Sequence, residues 1–231
     1  MPRKEEHLRA GKVQIVGNAA WRFSKSEAKC HTPSFAPGLA VLILFGALSA
    51  GCASYQGTST AVDPSVVVKQ GAWILVPKFP LVLQEESNDC GAAVLASVLQ
   101  FWGYAATPRS ISALLGRTDK RLKAGDMATY ARSLGLQAYV FFGTMQDIEH
   151  ELARGRPVIV GLGKMVGARE ALSHYQVVVG YEPTKKQLLL LDPARGWQTD
   201  SLAGFEKEWA LTKAVTIVAF LPHGDPRIAP R

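Results

Sequence analysis

Few residues in this sequence could carry chemistry, and one cysteine stands out among them. Cys90 opens an apolar run, CGAAVLASVLQFW, and Gln84 lies six positions before it in QEESNDCGAAV. A thiol attacks as its thiolate. At the start of a helix, free N–H groups and the positive end of the helix dipole both favour that anion. A histidine within reach would take the thiol proton. An uncharged amide such as Gln84 could then donate to the oxyanion formed on attack.

Three histidines follow Cys90. His150 sits among charges in DIEHELARG and is expected to face solvent, and His223 lies between prolines in the C-terminal tail. His174 begins the apolar stretch HYQVVVGYE, behind a loop-like segment, where a base could emerge beside a helix terminus. A histidine at a strand start is more often structural. Asp192, at the end of LLLLD, weighs the other way. If 174–182 and 186–192 form a hairpin about Pro183-Thr184-Lys185, their outer ends are neighbours. That pairing is expected to set Ser173 nearly opposite Asp192, with His174 alongside. A carboxylate there would orient the imidazole and stabilise its cation. Taken alone, Asp192 reads as a turn residue before Pro193.

The elements that must position these groups follow from periodicity and punctuation. Apolar residues at 94, 95, 98, 99 and 102 trace one buried helix face after Cys90, with Asn88 or Asp89 as cap and Gly103 as stop. Shorter helices are expected over 108–115, 125–134, 145–155 and 202–209. Strands are expected over 136–142, 157–162, 174–182, 186–192 and 214–221. Residues 72–83, with two prolines, read as an extended edge segment, and 163–173 as a flexible loop. Helices come first and strands later, so the class is α+β with a mostly antiparallel sheet. No internal repeat and no GxxxxGK[ST] phosphate loop is found in the sequence, so no ATP-binding domain is expected in this chain.

The N-terminal quarter has a different character. Residues 35–50, FAPGLAVLILFGALSA, carry no charge, follow basic residues and lead into LSAGC, Leu48 to Cys52. This reads as an export signal. Its end resembles the lipobox of bacterial lipoproteins, with Ser49 where that family usually has an aliphatic residue. The resemblance implies lipidation at Cys52 and a domain tethered in the cell envelope, facing the periplasm, with the outer membrane favoured. The expected organisation is a signal with a long polar leader over 1–51, a tether over 52–70, one domain over 71–222 and a tail over 223–231. The leader's length points to a true start codon further downstream. Residues 1–51 hold seven of the 26 basic residues and three of the 19 acidic ones, a balance of +4 out of +7. The domain itself is nearly neutral, and nucleic-acid binding is not expected. With Cys30 removed and Cys52 acylated, Cys90 is left as a lone thiol in an oxidising compartment, either buried and inert or a nucleophile.

Gln84, Cys90-Gly91, His174-Tyr175 and Asp192-Pro193, followed by Gly196, Phe205 and Trp209, resemble in order and spacing the papain-like, double-glycine leader peptidases that process bacteriocins. The likeness covers about residues 78–222. It implies a papain-like fold in a membrane-anchored cysteine peptidase. Cys90 would be nucleophile, His174 general base and then acid, and Asp192 the group that orients it. Gln84 and the backbone N–H of Cys90 would bind the oxyanion. Members of that family often sit on a transporter carrying an ATPase and face the cytoplasm, whereas this chain reads as exported. Two other readings remain at this stage. One is a peptidase-like binding module without turnover. The other is a murein endopeptidase, although that family shows Asp-Cys-Ser-Gly and a shorter Cys-to-His gap. The expected partner is a peptide or protein substrate, and no metal or cofactor is implied.

Overall fold

The computed structural model describes residues 57–115, 121–166 and 170–223. The signal segment, Cys30, Cys52 and the tail beyond His223 lie outside the described residues. In chain order the elements are β1 (Thr60–Ala61), α1 (Pro64–Val67), a single 3-10 turn at Val68–Gln70, β2 (Ile74–Leu75), α2 (Cys90–Phe101), α3 (Pro108–Leu114) and α4 (Ala124–Ser133). There follow β3 (Gln137–Phe142), α5 (Met145–Ala153), β4 (Val158–Val166), β5 (Glu170–Glu182), β6 (Gln187–Asp192), β7 (Gly196–Ser201), α6 (Leu202–Ala210) and β8 (Val215–Phe220). Among the described residues no helix is long and apolar enough to cross a membrane.

The helix behind Cys90 is the centre of the core. Every residue from Cys90 to Leu99 is buried. A helix apolar or small on all sides is one enclosed on all sides, and the alanines at 92, 93 and 96 let neighbouring elements approach closely. Its one buried hydroxyl, Ser97, donates back to the Ala93 carbonyl at 3.1 Å, so no polar group is stranded. Gly103, at φ +84°, ends the helix as expected.

The strands form one sheet in the order β1-β7-β6-β5-β4-β8-β3, with β2 paired to β5 and every pair antiparallel. This is the α+β, mostly antiparallel architecture expected from the sequence. The central strands β4, β5 and β6 are buried along most of their length, which is why 158–162 and 188–191 read as continuous apolar runs rather than alternating ones.

Four local expectations need correction. Residues 163–166 and 170–173 are strand rather than loop. Gly163 to Val166 extend β4, Glu170 to Ser173 begin β5, and the two strands pair from Val158↔Val178 to Val166↔Glu170. A paired ladder overrides the weak β-preference of Gly and Lys. His174 therefore lies inside a strand rather than at its start. In addition, Ser173 is not opposite Asp192. The β5–β6 ladder runs from Glu182↔Gln187 to Val177↔Leu191, with a bulge between Val178 and Gly180. Reflection about the turn carries this register to Gln176 beside Asp192. The sequence reading also missed β7, whose short polar stretch GWQTDS lacks a strand-like apolar pattern. Finally, residues 57–70, read as tether, fold against the domain. β1 pairs with β7 through Thr60↔Thr199 and Ala61↔Gln198, and Thr58 bonds to two acidic side chains described below.

Candidate active site

Each group that could do chemistry is fixed by a different element. Cys90 is the first residue of α2, and Asp89 occupies the cap position without making a side-chain cap bond. The first helical bond runs from the Ala93 N–H to the Asp89 carbonyl at 2.9 Å. The N–H groups of the preceding turn consequently have no acceptor within the helix. Gly91 is required here by space. A Cβ at this position would stand 2.9 Å from Cβ of Leu122 and 3.3 Å from its carbonyl oxygen. Its absence lets the start of α2 sit close to the chain that leads into α4.

His174 and Gln176 lie two apart on β5, so their side chains share a face. Asp192 ends β6 and opens the turn into β7. Its Oδ1 accepts from the Ala194 N–H at 2.8 Å, and the Arg195 N–H donates to its carbonyl at 3.2 Å. This is an Asx-type turn, and Gly196 completes it at φ +82°. The turn reading and the orienting reading of Asp192 thus hold together, because one carboxylate does both. Oδ1 also faces His174 Nε2 at 2.9 Å, and Oδ2 accepts from Gln176 Nε2 at 2.7 Å. All three side chains are buried, with His174 at 3%, Gln176 at 0% and Asp192 at 0% exposure.

With Nε2 of His174 turned to Asp192, Nδ1 is the nitrogen left for the thiol. The Cys90 thiol and the His174 imidazole lie near enough to shift each other's protonation. Burial pushes the Cys90 thiol up. Interaction with His174 and the backbone N–H groups of Tyr175 and Gly91 outweighs burial, so the thiol ends below its ordinary value. Burial pushes the His174 imidazole down. The bonds and charges of Asp192 and Cys90 outweigh it and raise the imidazole to about 8. The two shifts reinforce one arrangement, a thiolate facing an imidazolium.

Gln84 is tied to the same corner by its backbone. Its N–H donates to the carbonyl of Pro193, next to Asp192, at 2.8 Å, and its side-chain Oε1 is buried without a partner. The structure therefore brings Cys90, His174 and Asp192 together from three chain segments, with the backbone of Gln84 bonded next to Asp192. His150 and His223 are exposed and elsewhere. The lipidation expected at Cys52 lies outside the described residues. The sequence reading missed Gln176. In sequence it is only a polar residue in a strand. A strict count from His174, placing it on the same face, was the one available signal.

Known proteins are similar to this chain in fold and sequence. The chain matches a peptidase domain of Streptococcus ComA, a bifunctional ABC transporter involved in quorum sensing, at 27% identity and TM-score 0.52. The match covers 62% of this chain and 99% of that domain. A C39-like peptidase from Bacillus anthracis shares the fold at 13% identity and TM-score 0.53, over 67% of this chain and all of the other. A double-glycine motif protease of an AMS/PCAT transporter, solved with its leader peptide, shares the fold at 19% identity and TM-score 0.50 over 63% of this chain and 93% of that one. Among curated proteins, the lactococcin-G-processing and transport ATP-binding protein LagD of Lactococcus lactis is 24% identical over 129 residues, 56% of this chain. The chain spans only 17% of LagD's length. The Peptidase C39 family model matches residues 78–219, well over half the sequence and the segment that carries all four residues of the site. The chain belongs to the Peptidase C39 family and is a cysteine-type peptidase.

Proposed function

We propose that this peptidase hydrolyses peptide bonds with Cys90 as nucleophile, His174 as base and then acid, and Asp192 as the group that holds His174. The observation that carries this reading is the Cys90 thiol at the start of α2 beside His174, whose Nε2 faces Asp192 Oδ1 at 2.9 Å. In the resting pair the thiol proton is on His174. The thiolate attacks the carbonyl carbon and forms a C–S bond, placing negative charge on the carbonyl oxygen. The N–H of Cys90 and the amide of Gln84 are the donors for that oxygen. The imidazolium gives its proton to the leaving nitrogen as the C–N bond breaks, leaving a thioester. Water then loses a proton to His174 and attacks the thioester, the C–S bond breaks, and the thiolate returns.

The remaining readings concern place and substrate. The domain is lipid-anchored through Cys52 after removal of residues 1–51, and it faces the periplasm. A basic-flanked apolar segment ending in LSAGC supports this reading. The substrate is a peptide or protein. The relative solved with a leader peptide supports a peptide cut behind small residues. Cys90→Ala is expected to fold normally and to lose all turnover. Peptides from the envelope of cells carrying wild type or Cys90→Ala would identify the substrate by accumulation of its uncut form. Peptidase activity retained by Cys90→Ala would contradict the assignment.

A further inference from the structure

Gln176 is the buried polar group that the proposed mechanism leaves unused. It lies on a central strand with no exposure, where an amide is costly unless it is bonded. Nε2 donates to Asp192 Oδ2 at 2.7 Å, while Oε1 is buried with no hydrogen-bond partner. The amide assignment follows from the neighbour. Reversing the group would set a carbonyl oxygen against a carboxylate oxygen. A core residue that leaves one of its own polar atoms unsatisfied in order to reach Asp192 is poorly explained by packing alone. Leucine or methionine would fill that volume without stranding an oxygen.

The Asp192 carboxylate carries one donor set on each oxygen. Oδ1 has His174 Nε2 and the Ala194 N–H, and Oδ2 has Gln176. Gln176 places a donor against the second oxygen, so the carboxylate is bonded at both ends. We propose that Gln176 is a positioning residue of the peptidase, holding Asp192 oriented and ionised so that His174 can keep its proton beside the Cys90 thiolate. This rests on the Cys90–His174–Asp192 reading given above. Asp192 is faced by His174 and Gln176 from β5 and by Ala194 and Arg195 from its own turn, with Cys90 of α2 beyond His174. Tyr175, which feels Cys90 and Asp126, is raised by burial first. Asp89, raised by burial and by Glu86 and Glu85, belongs to the approach to α2.

Without Gln176 the carboxylate is held less firmly against His174 Nε2, so the imidazolium loses support and the thiolate forms less readily beside it. The test is the pH dependence of Cys90 alkylation by iodoacetamide, read by mass spectrometry on the peptide containing Cys90 and needing no known substrate. The proteins are wild type, Gln176→Met, Gln176→Glu and His174→Ala, each checked for a cooperative melt. In Gln176→Met the acid limb is expected to move up by about one pH unit, slowing alkylation on that limb about tenfold. Gln176→Glu can still donate when protonated, so its acid limb should stay near that of wild type.

A Gln176→Met acid limb that coincides with wild type would overturn the proposal, because a residue needed only for packing would change the melting temperature and not the profile. If Gln176→Met does not fold, Gln176→Asn, whose amide is one methylene shorter, is read in the same way: an acid limb moved up supports the proposal, and one that coincides with wild type overturns it. A His174→Ala profile identical to wild type would instead overturn the underlying Cys–His reading, whatever the Gln176 variants do.

Discussion

At the scale of residues, the site is a contest between burial and charge. Cys90 is 5% exposed and His174 3%. Burial alone would leave both neutral and unreactive, which is the inert reading of a lone thiol. Mutual interaction and Asp192 push the other way, lowering the thiol and raising the imidazole. The consequence for pH follows from sign. The thiol lies below its ordinary value, so the thiolate appears early as pH rises. The imidazole lies at about 8, so the cation persists until then. Peptide hydrolysis needs both, the thiolate to attack and the cation to protonate the leaving nitrogen, and should therefore fall as pH rises through about 8. Alkylation needs only the thiolate and should not fall there. Measuring both rates across the same pH range checks the assignment of the upper limb to His174. Gln84→Ala should retain the fold and lose on the order of a hundredfold in rate, as for other oxyanion donors. Steady-state kinetics would show the loss in kcat. Asp192→Asn should keep the fold and slow acylation, read as a smaller burst of first product.

At the scale of elements, the site exists because three segments converge on one corner. α2 brings the thiol, β5 the imidazole, and the β6–β7 turn the carboxylate. The contact that sets α2 against the chain before α4 is Gly91 on Leu122. Gly91→Ala would force a Cβ to 2.9 Å from Leu122 Cβ. It should cost about 1–3 kcal/mol of stability and slow Cys90 alkylation as the helix start moves away from β5. Thermal melts and labelling rates together check this. Much of this level was legible in the sequence. The apolar run after Cys90, the stop at Gly103 and the β5–β6 hairpin follow from periodicity and turn chemistry. The extension of β4 over 163–166 and of β5 over 170–173 was not, because Gly163 and Lys164 carry weak strand preference and strand pairing decided the outcome. The strand at 196–201 escaped for the same reason. Gln176 was hidden because a glutamine between tyrosine and valine gives no sign of which acid it will meet.

At the scale of the whole molecule, a second buried polar cluster joins the N-terminal segment to the body. Lys164, with no exposure, pairs with Glu208 of α6. The Thr58 N–H donates to Glu208 Oε1 at 3.0 Å, and its hydroxyl to Asp200 Oδ2 at 2.6 Å. Sequence alone offered small polar residues from 53 onward, which read as tether, because their partners lie more than a hundred residues away. Breaking one member of a buried ion pair leaves the other uncompensated. Glu208→Leu should therefore cost about 3–5 kcal/mol, while the double change with Lys164→Met should recover part of it. Denaturant melts of the two variants check the sign. A chain begun at residue 71 should likewise melt below one begun at residue 57, since it loses β1 and both Thr58 bonds.

The central claim is that Cys90 and His174 form a thiolate–imidazolium pair. Its most direct measurement is the ultraviolet absorbance of the thiolate at about pH 6–7, below the ordinary thiol range, compared among wild type, His174→Ala and Cys90→Ala. The account predicts a thiolate signal in wild type that is lost in both variants. A wild-type spectrum indistinguishable from that of Cys90→Ala would contradict it.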